Sequence, residues 1–493
     1  MTFAYDKEEM FMTGWVVFGC LLGALILLLG AACIRAAVIK RPRAPKEPEP
    51  IDPDKAGRYA EDLSRLIQCE TVNPRGGGDD VPAKFARLRA VLEERFPLVH
   101  KTMERTLLGD ALLLKWSGSD PRRGAVALLA HSDVVPAPGE WSRPPFGGEI
   151  AEGCVWGRGA MDDKGALCAL FEAAEELIAE GFVPPCDVYI ASSNNEETMG
   201  DGAPKTVEYL TEQGVRLDLV LDEGGAVIQA PMPGLRGNYA MLGIVEKGYA
   251  DVRFTARSDG GHSSTPPKDS PVARLAAFVH RVESRPPFPK RFTSPVKALF
   301  AALAPEMAFP YRLLFGNLWL FGPLLTLVLP AVSAQAGALL HTTCAFTMMQ
   351  GSDAPNVLPE SASVTANLRF MLHQRREESL AAMKRLADRY GLEMEVLYSC
   401  DCSPVTDPEG KGYRFVEECV RAVFPEAGVA PYVMLGGTDA KHYAPVCPDT
   451  VRFAPTVLTP QQLASMHAKD ENLGVDALAR AVAFYRRVLT SWR

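Results

Sequence analysis

Ala125-Val126-Ala127-Leu128-Leu129-Ala130-His131-Ser132-Asp133 is an uncharged apolar run that ends in a histidine and, two residues on, a carboxylate. A run of this length predicts a buried strand. In an open α/β sheet, functional groups gather at the carboxyl ends of strands, where His131 stands. Side chains alternate along an extended chain, so His131 and Asp133 fall on one side of it. That arrangement suits a histidine metal ligand whose ring is oriented by a carboxylate. Working outward, residues 188–191 and 217–221 predict further buried strands, and 164–180 predicts an amphipathic helix closed by Gly181. Short strands alternating with helices predict an α/β catalytic domain with a central, mostly parallel sheet.

The same strands lead into further acids. Gly157-Arg158-Gly159-Ala160-Met161-Asp162-Asp163-Lys164-Gly165 directly precedes the predicted helix. One of its carboxylates could cap that helix, or bridge two cations through its two oxygens. Asn194-Asn195-Glu196-Glu197 follows the strand at Val188. Adjacent side chains diverge, so one glutamate can ligate a metal while the other serves as general base. Asp222-Glu223-Gly224-Gly225 ends the strand 217–221, and His467 lies in a polar stretch near the C-terminus. Together these groups supply the nitrogen and oxygen ligands that zinc prefers.

The rest of the chain sets the organisation. A length of 493 residues predicts at least two folded units. A net charge of −8 argues against nucleic acid as a partner. Of the eleven cysteines, Cys20 and Cys33 lie in the N-terminal apolar run; the others form no zinc-finger pair and are expected to be reduced core thiols. After an N-terminal tail (1–13), no charged residue occurs from Gly14 to Ile34. That length predicts a transmembrane helix, and the acids Asp6, Glu8 and Glu9 before it argue against a cleaved signal peptide. Arg35, Lys40, Arg41, Arg43 and Lys46 follow, which favours a cytoplasmic catalytic domain without excluding a lumenal one. Residues 35–53 predict a linker, 54–244 and 400–493 the two parts of the catalytic domain, and 245–399 a smaller inserted α+β domain. Within the insert, the uncharged stretch from Arg312 to Asp353 predicts a buried or membrane-dipping helical pair.

The ordered motifs resemble the co-catalytic zinc hydrolases that include carboxypeptidase S, aminoacylase and the glutamate carboxypeptidases. The match continues through Val134, Val135, Pro136, Trp141, Pro144, Pro145 and Phe146 and covers the chain from about Asp54 onward. It is nearest the carboxypeptidase S and N-fatty-acyl-amino-acid hydrolase branch, with Asn194-Asn195 and Ala160 departing from common residues. The resemblance implies a zinc-peptidase fold whose insert is a lid or dimerisation domain, and it allows a homodimer. It implies two zinc ions (cobalt or manganese being substitutes) held by His131, Asp162, Glu197, His467 and either Asp222 or Glu223. It assigns Asp133 to orienting a ligand, Glu196 to the general base, and His262 to the developing oxyanion. Asn356, Arg369, Gly437 and Thr438 would line the substrate pocket. The implied activity is hydrolysis of an amide in N-acyl amino acids; the alternatives are a carboxypeptidase or dipeptidase acting on short peptides, and an inactive membrane-anchored binding protein.

Overall fold

The computed structural model describes residues 7–39, 46–120 and 122–492. Lys40, Arg41 and Arg43 of the basic flank lie outside these residues.

The strand Ala125–Leu129 is central and entirely buried. Val126 and Leu128 face one core, built with the helices Pro53–Ile67, Lys164–Ala179 and Val475–Ser491. Ala127 and Leu129 face the other core, which the helix Gly202–Glu212 and Tyr443 help to fill. Burial on both faces explains why the run carries no polar residue.

Parallel partners flank it, Val188–Ser192 on one side and Leu217–Asp222 on the other, and Thr450–Arg452 continues in parallel beyond the latter. The outer strands are different. Glu104–Leu108 and Ala111–Trp116 form a hairpin antiparallel to Val188–Ser192. Asn238–Glu246 runs antiparallel to Thr450–Arg452 and to Val227–Gln229, and Gly428–Met434 joins it in parallel. The ten-stranded sheet is therefore mixed: the parallel order predicted from buried runs holds through its centre, while antiparallel pairings enter at the flanks beside further parallel ones. Hairpin connections at the flanks need no crossover helix, so they add antiparallel pairs.

A second sheet has four antiparallel strands in the order Thr343–Gln350, Ser361–Phe370, Gly248–Arg257, Glu393–Cys400. Helices Pro271–Ser284 and Arg376–Arg389 cover one face, burying Phe254, Phe278, Leu368 and Met383. Lys247 alone separates this sheet from the last residue of Asn238–Glu246. One part of the expected insert behaves otherwise. Val296, Leu299, Phe300 and Leu303 of the helix Ser294–Leu303 belong to the core of the larger sheet, as do Leu339 and Leu340. Their apolar faces find a better partner in Gly428–Met434 than in the second sheet, whose apolar face is already covered.

The helix Lys7–Val38 contains an apolar stretch, Thr13–Val38, of mean hydropathy 2.7 that is 6% buried. By length and composition it meets the requirements of a membrane span and of a signal sequence alike.

Candidate active site

Strand ends deliver the site. Ser132, just past Ala125–Leu129, donates its amide and its hydroxyl to Ser193 O at 2.8 and 2.6 Å, locking two strand ends together. His131 is thereby fixed at the sheet's carboxyl edge, 2% exposed. Its Nδ1 lies 3.0 Å from the carbonyl of Asp133 and 3.4 Å from that residue's carboxylate. The two oxygens of the Asp133 carboxylate also accept the amides of Glu196 and Glu197, each at 3.1 Å. Asp133 thus shapes the Glu-Glu turn as well as facing the ring.

Asp162 stands between the two histidines. Its Oδ1 is 2.8 Å from His131 Nε2 and its Oδ2 is 2.8 Å from His467 Nε2. Glu223 lies 3.6 Å from His131 Nε2, and Glu197 lies 3.2 Å from His467 Nε2. Two groups that could each hold a metal ion result, His131–Asp162–Glu223 and Asp162–Glu197–His467, each with its candidate ligand atoms within 4.8 Å of one another. Asp222 is not part of either; its carboxylate accepts the Ala440 amide at 2.7 Å.

The electrostatics favour cations here. Three carboxylates share a largely buried space with two imidazoles, and among the described residues no lysine or arginine pairs with Asp162, Glu197 or Glu223. Burial pushes the Glu223 carboxyl well above its usual range, and the neighbouring Asp162 adds to this. Burial also raises Glu196. Burial opposes ionisation of Asp162 too, but hydrogen bonds from His131 and His467 hold its carboxyl below the usual range. Hydrogen bonds to Asp162 and Glu197 lift His467 to about 10. The donor set, two imidazoles and three carboxylates, suits a divalent transition metal such as zinc.

A buried pair missed in the sequence supports both groups. Arg158 donates to Glu471 Oε2 at 2.5 Å and to the carbonyl of Ala468, beside His467, at 2.9 Å. Glu471 Oε1 accepts the amides of Met161 and Asp162 at 2.9 and 3.2 Å. Gly159 (φ +88°) makes the turn, and at Gly165 a Cβ would stand 2.3 Å from Ala160 O, so the Asp162 loop can fold tightly onto its helix.

The remaining candidates lie apart from these groups. His262 is exposed, with Nδ1 2.8 Å from Ser264 Oγ. It sits on the ribbon Gly261–His262 with Val357–Leu358, where Asn356 O accepts the Ser263 amide. The Arg369 guanidinium covers the Tyr249 ring at 4.5 Å on the second sheet. Thr438, next to Gly437, is buried, and its amide and hydroxyl both bond to Glu246, which Arg452 neutralises. A cleft of about 720 Å³ runs beside the Glu-Glu turn, lined by Asn73, Arg75, Asn194, Thr198, Tyr398 and His442. Tyr398 comes from the second sheet, and Arg75 reaches Asp251 of that sheet at 3.6 Å, so both sheets border it.

The family model described as Peptidase family M20/M25/M40 matches residues 127–491. This chain belongs to that family. It is therefore a hydrolase of the metallopeptidase type, acting on amide bonds in a metal-dependent family. An N-fatty-acyl-amino acid synthase/hydrolase of Bos taurus is 33% identical over 94% of this chain and 95% of that protein. A probable carboxypeptidase S-like protein of Dictyostelium discoideum is 32% identical over 83% of this chain and 80% of that protein. The fold matches an M20 family metallo-carboxypeptidase from Sulfolobus solfataricus at a TM-score of 0.65 and 17% identity, over 87% and 98% of the two chains.

Proposed function

We propose that this chain hydrolyses N-fatty-acyl amino acids with two zinc ions, one among His131, Asp162 and Glu223 and one among Asp162, Glu197 and His467. The observation that carries the reading is Asp162, whose two oxygens serve two histidines at equal distance. Bound there, the ions would supply Lewis acidity toward the scissile carbonyl and an acidic water; cobalt or manganese could stand in. Glu196, presented beside Glu197 by Asp133, takes the proton of the attacking water and returns it to the leaving amine. The second sheet is the lid or dimerisation element. It carries His262 as donor to the oxyanion, with Asn356 beside it, and Arg369 as a fork for the substrate carboxylate. Gly437 and Thr438 contribute to the pocket wall, with the Thr438 amide and hydroxyl both held in place by Glu246.

The acyl substrate is supported by the name of the Bos taurus relative; relatives named for carboxypeptidase S support short peptides as the second reading. The helix Lys7–Val38 anchors the enzyme as a single membrane pass, with the catalytic domain on the cytoplasmic side by its flanking charges. The test is release of free amino acid by the zinc-loaded full chain from N-oleoyl-phenylalanine beside a panel of dipeptides. Faster release from the acylated substrate is expected. Faster dipeptide cleavage would move the function to peptide turnover, and hydrolysis of neither would refute an active hydrolase.

A further inference from the structure

The helices Phe309–Phe315 and Leu318–Val332 meet at 98° near the start of the uncharged stretch. A helix pair in a water-soluble protein turns its apolar stripe inward and its polar face out. Leu318–Val332 has no polar face. Gly322 and Leu325 point inward, yet Leu324, Leu327 and Val332 on the outer side are 55, 69 and 71% exposed. Leu324, Leu327 and Val328, at i, i+3 and i+4, make an outward apolar stripe. Trp319, 53% exposed, lies at the start of the same helix with its indole N–H bonded to Asn317 Oδ1.

The N-terminal helix packs on the first helix of the pair, Phe309–Phe315, and reaches the turn at Asn317. Asn317 Nδ2 donates to the carbonyl of Ala32 at 3.1 Å, and Ala32 and Ala36 are fully buried. The exposed stripe is thus continuous with the domain-side end of a helix long and apolar enough to cross a bilayer.

We propose that Phe309–Val332 is a membrane-seated foot, its outer stripe lying among the acyl chains of the leaflet through which the anchor enters. Trp319 sits at the headgroup level, where tryptophan is favoured. Behind the foot, the carbonyls of Ala338 and His341 both accept Lys247 Nζ at 3.0 Å. Lys247 is the link between the two sheets, and its neighbour Glu246 holds Thr438 and Arg452. Seating the foot therefore fixes the link between the two sheets, and lipid-dissolved substrate is taken directly from the bilayer. This rests on the anchor and the acylated substrate proposed above.

The test uses the full chain in phosphatidylcholine vesicles carrying a photoactivatable acyl chain, with labelled peptides mapped by mass spectrometry. Labelling of 318–332 as well as 14–34 is expected. Labelling confined to 14–34, or cross-linking of the foot to a second copy in place of lipid, overturns the foot whether or not the enzyme is active. The double variant Leu324→Glu, Leu327→Glu alters only outward positions. It should lower turnover of vesicle-borne N-oleoyl-phenylalanine about ten-fold, as expected for ~1.4 kcal/mol of lost seating. Turnover of water-soluble N-acetyl-phenylalanine should stay unchanged; an equal fall in both substrates overturns delivery from the bilayer. Absence of hydrolysis of either substrate by the unmodified chain would refute the proposed activity while the labelling still decides the foot.

Discussion

Asp222 and Glu223 are neighbours at one strand end, yet one holds a backbone amide and the other faces His131. Glu223→Gln should leave the purified protein one zinc equivalent short by elemental analysis, whereas Asp222→Asn should keep the full metal content. Equal metal loss in both would remove the distinction. The sequence left open which of the two faces the candidate metal-binding groups. That is decided by register, Leu221 opposite Leu128, a long-range fact. His131, Asp162, Glu197 and His467, which the fold brings together, could be singled out in the sequence because each sits in a motif. Arg158 and Glu471 were not, because they meet across more than three hundred residues. Glu471→Gln leaves the buried Arg158 charge unpaired and should cost about 3–5 kcal/mol. A lower Tm together with weaker zinc retention under chelator is expected; unchanged retention would separate the pair from the metal loops.

At the scale of elements, the helix Lys164–Ala179 buries an acid, Glu172, whose partners Asp62 and Arg58 are not among the candidate site residues. Burial, then Asp62, pushes the Glu172 carboxyl from 4.5 up to about 9, and Arg58 at 3.3 Å offsets this only in part. The folded state therefore keeps a proton that the unfolded chain releases above 4.5. The stability contributed by this group is full below that pH and is lost as pH rises toward 9, by at most ~1.4 kcal/mol per pH unit. Glu172→Gln, permanently neutral, should raise Tm over the natural chain by a margin that widens from pH 5 to pH 9. A constant margin would refute it. Periodicity located this helix and the buried strands to within two residues at most ends. It passed over Gly428–Met434, whose Pro431 argues against a strand; the segment pairs only with Asn238–Glu246, so a missing amide on its open side costs nothing.

For the whole molecule, the question is how His262 reaches a cluster it does not touch. It stands just beyond the far end of Gly248–Arg257, a strand of 10 residues that starts at the Lys247 link. At roughly 3.3 Å per residue the lever is about 33 Å long. Closing it within one chain would sweep the whole second sheet across the cleft, against the Arg75–Asp251 contact that holds the sheet's near end. A homodimer joined through the second sheet would avoid that swing by presenting the tip to the opposite site, and two-fold symmetry would complete both sites at once. Glu196→Gln and His262→Ala each alone should be nearly inactive, down about 10²-fold or more, with zinc retained. Mixed and allowed to exchange subunits, they should regain about a quarter of the natural activity, because half the dimers are mixed and each then holds one site with both residues. A mixture as inactive as its parts would mean that each chain closes its own lid.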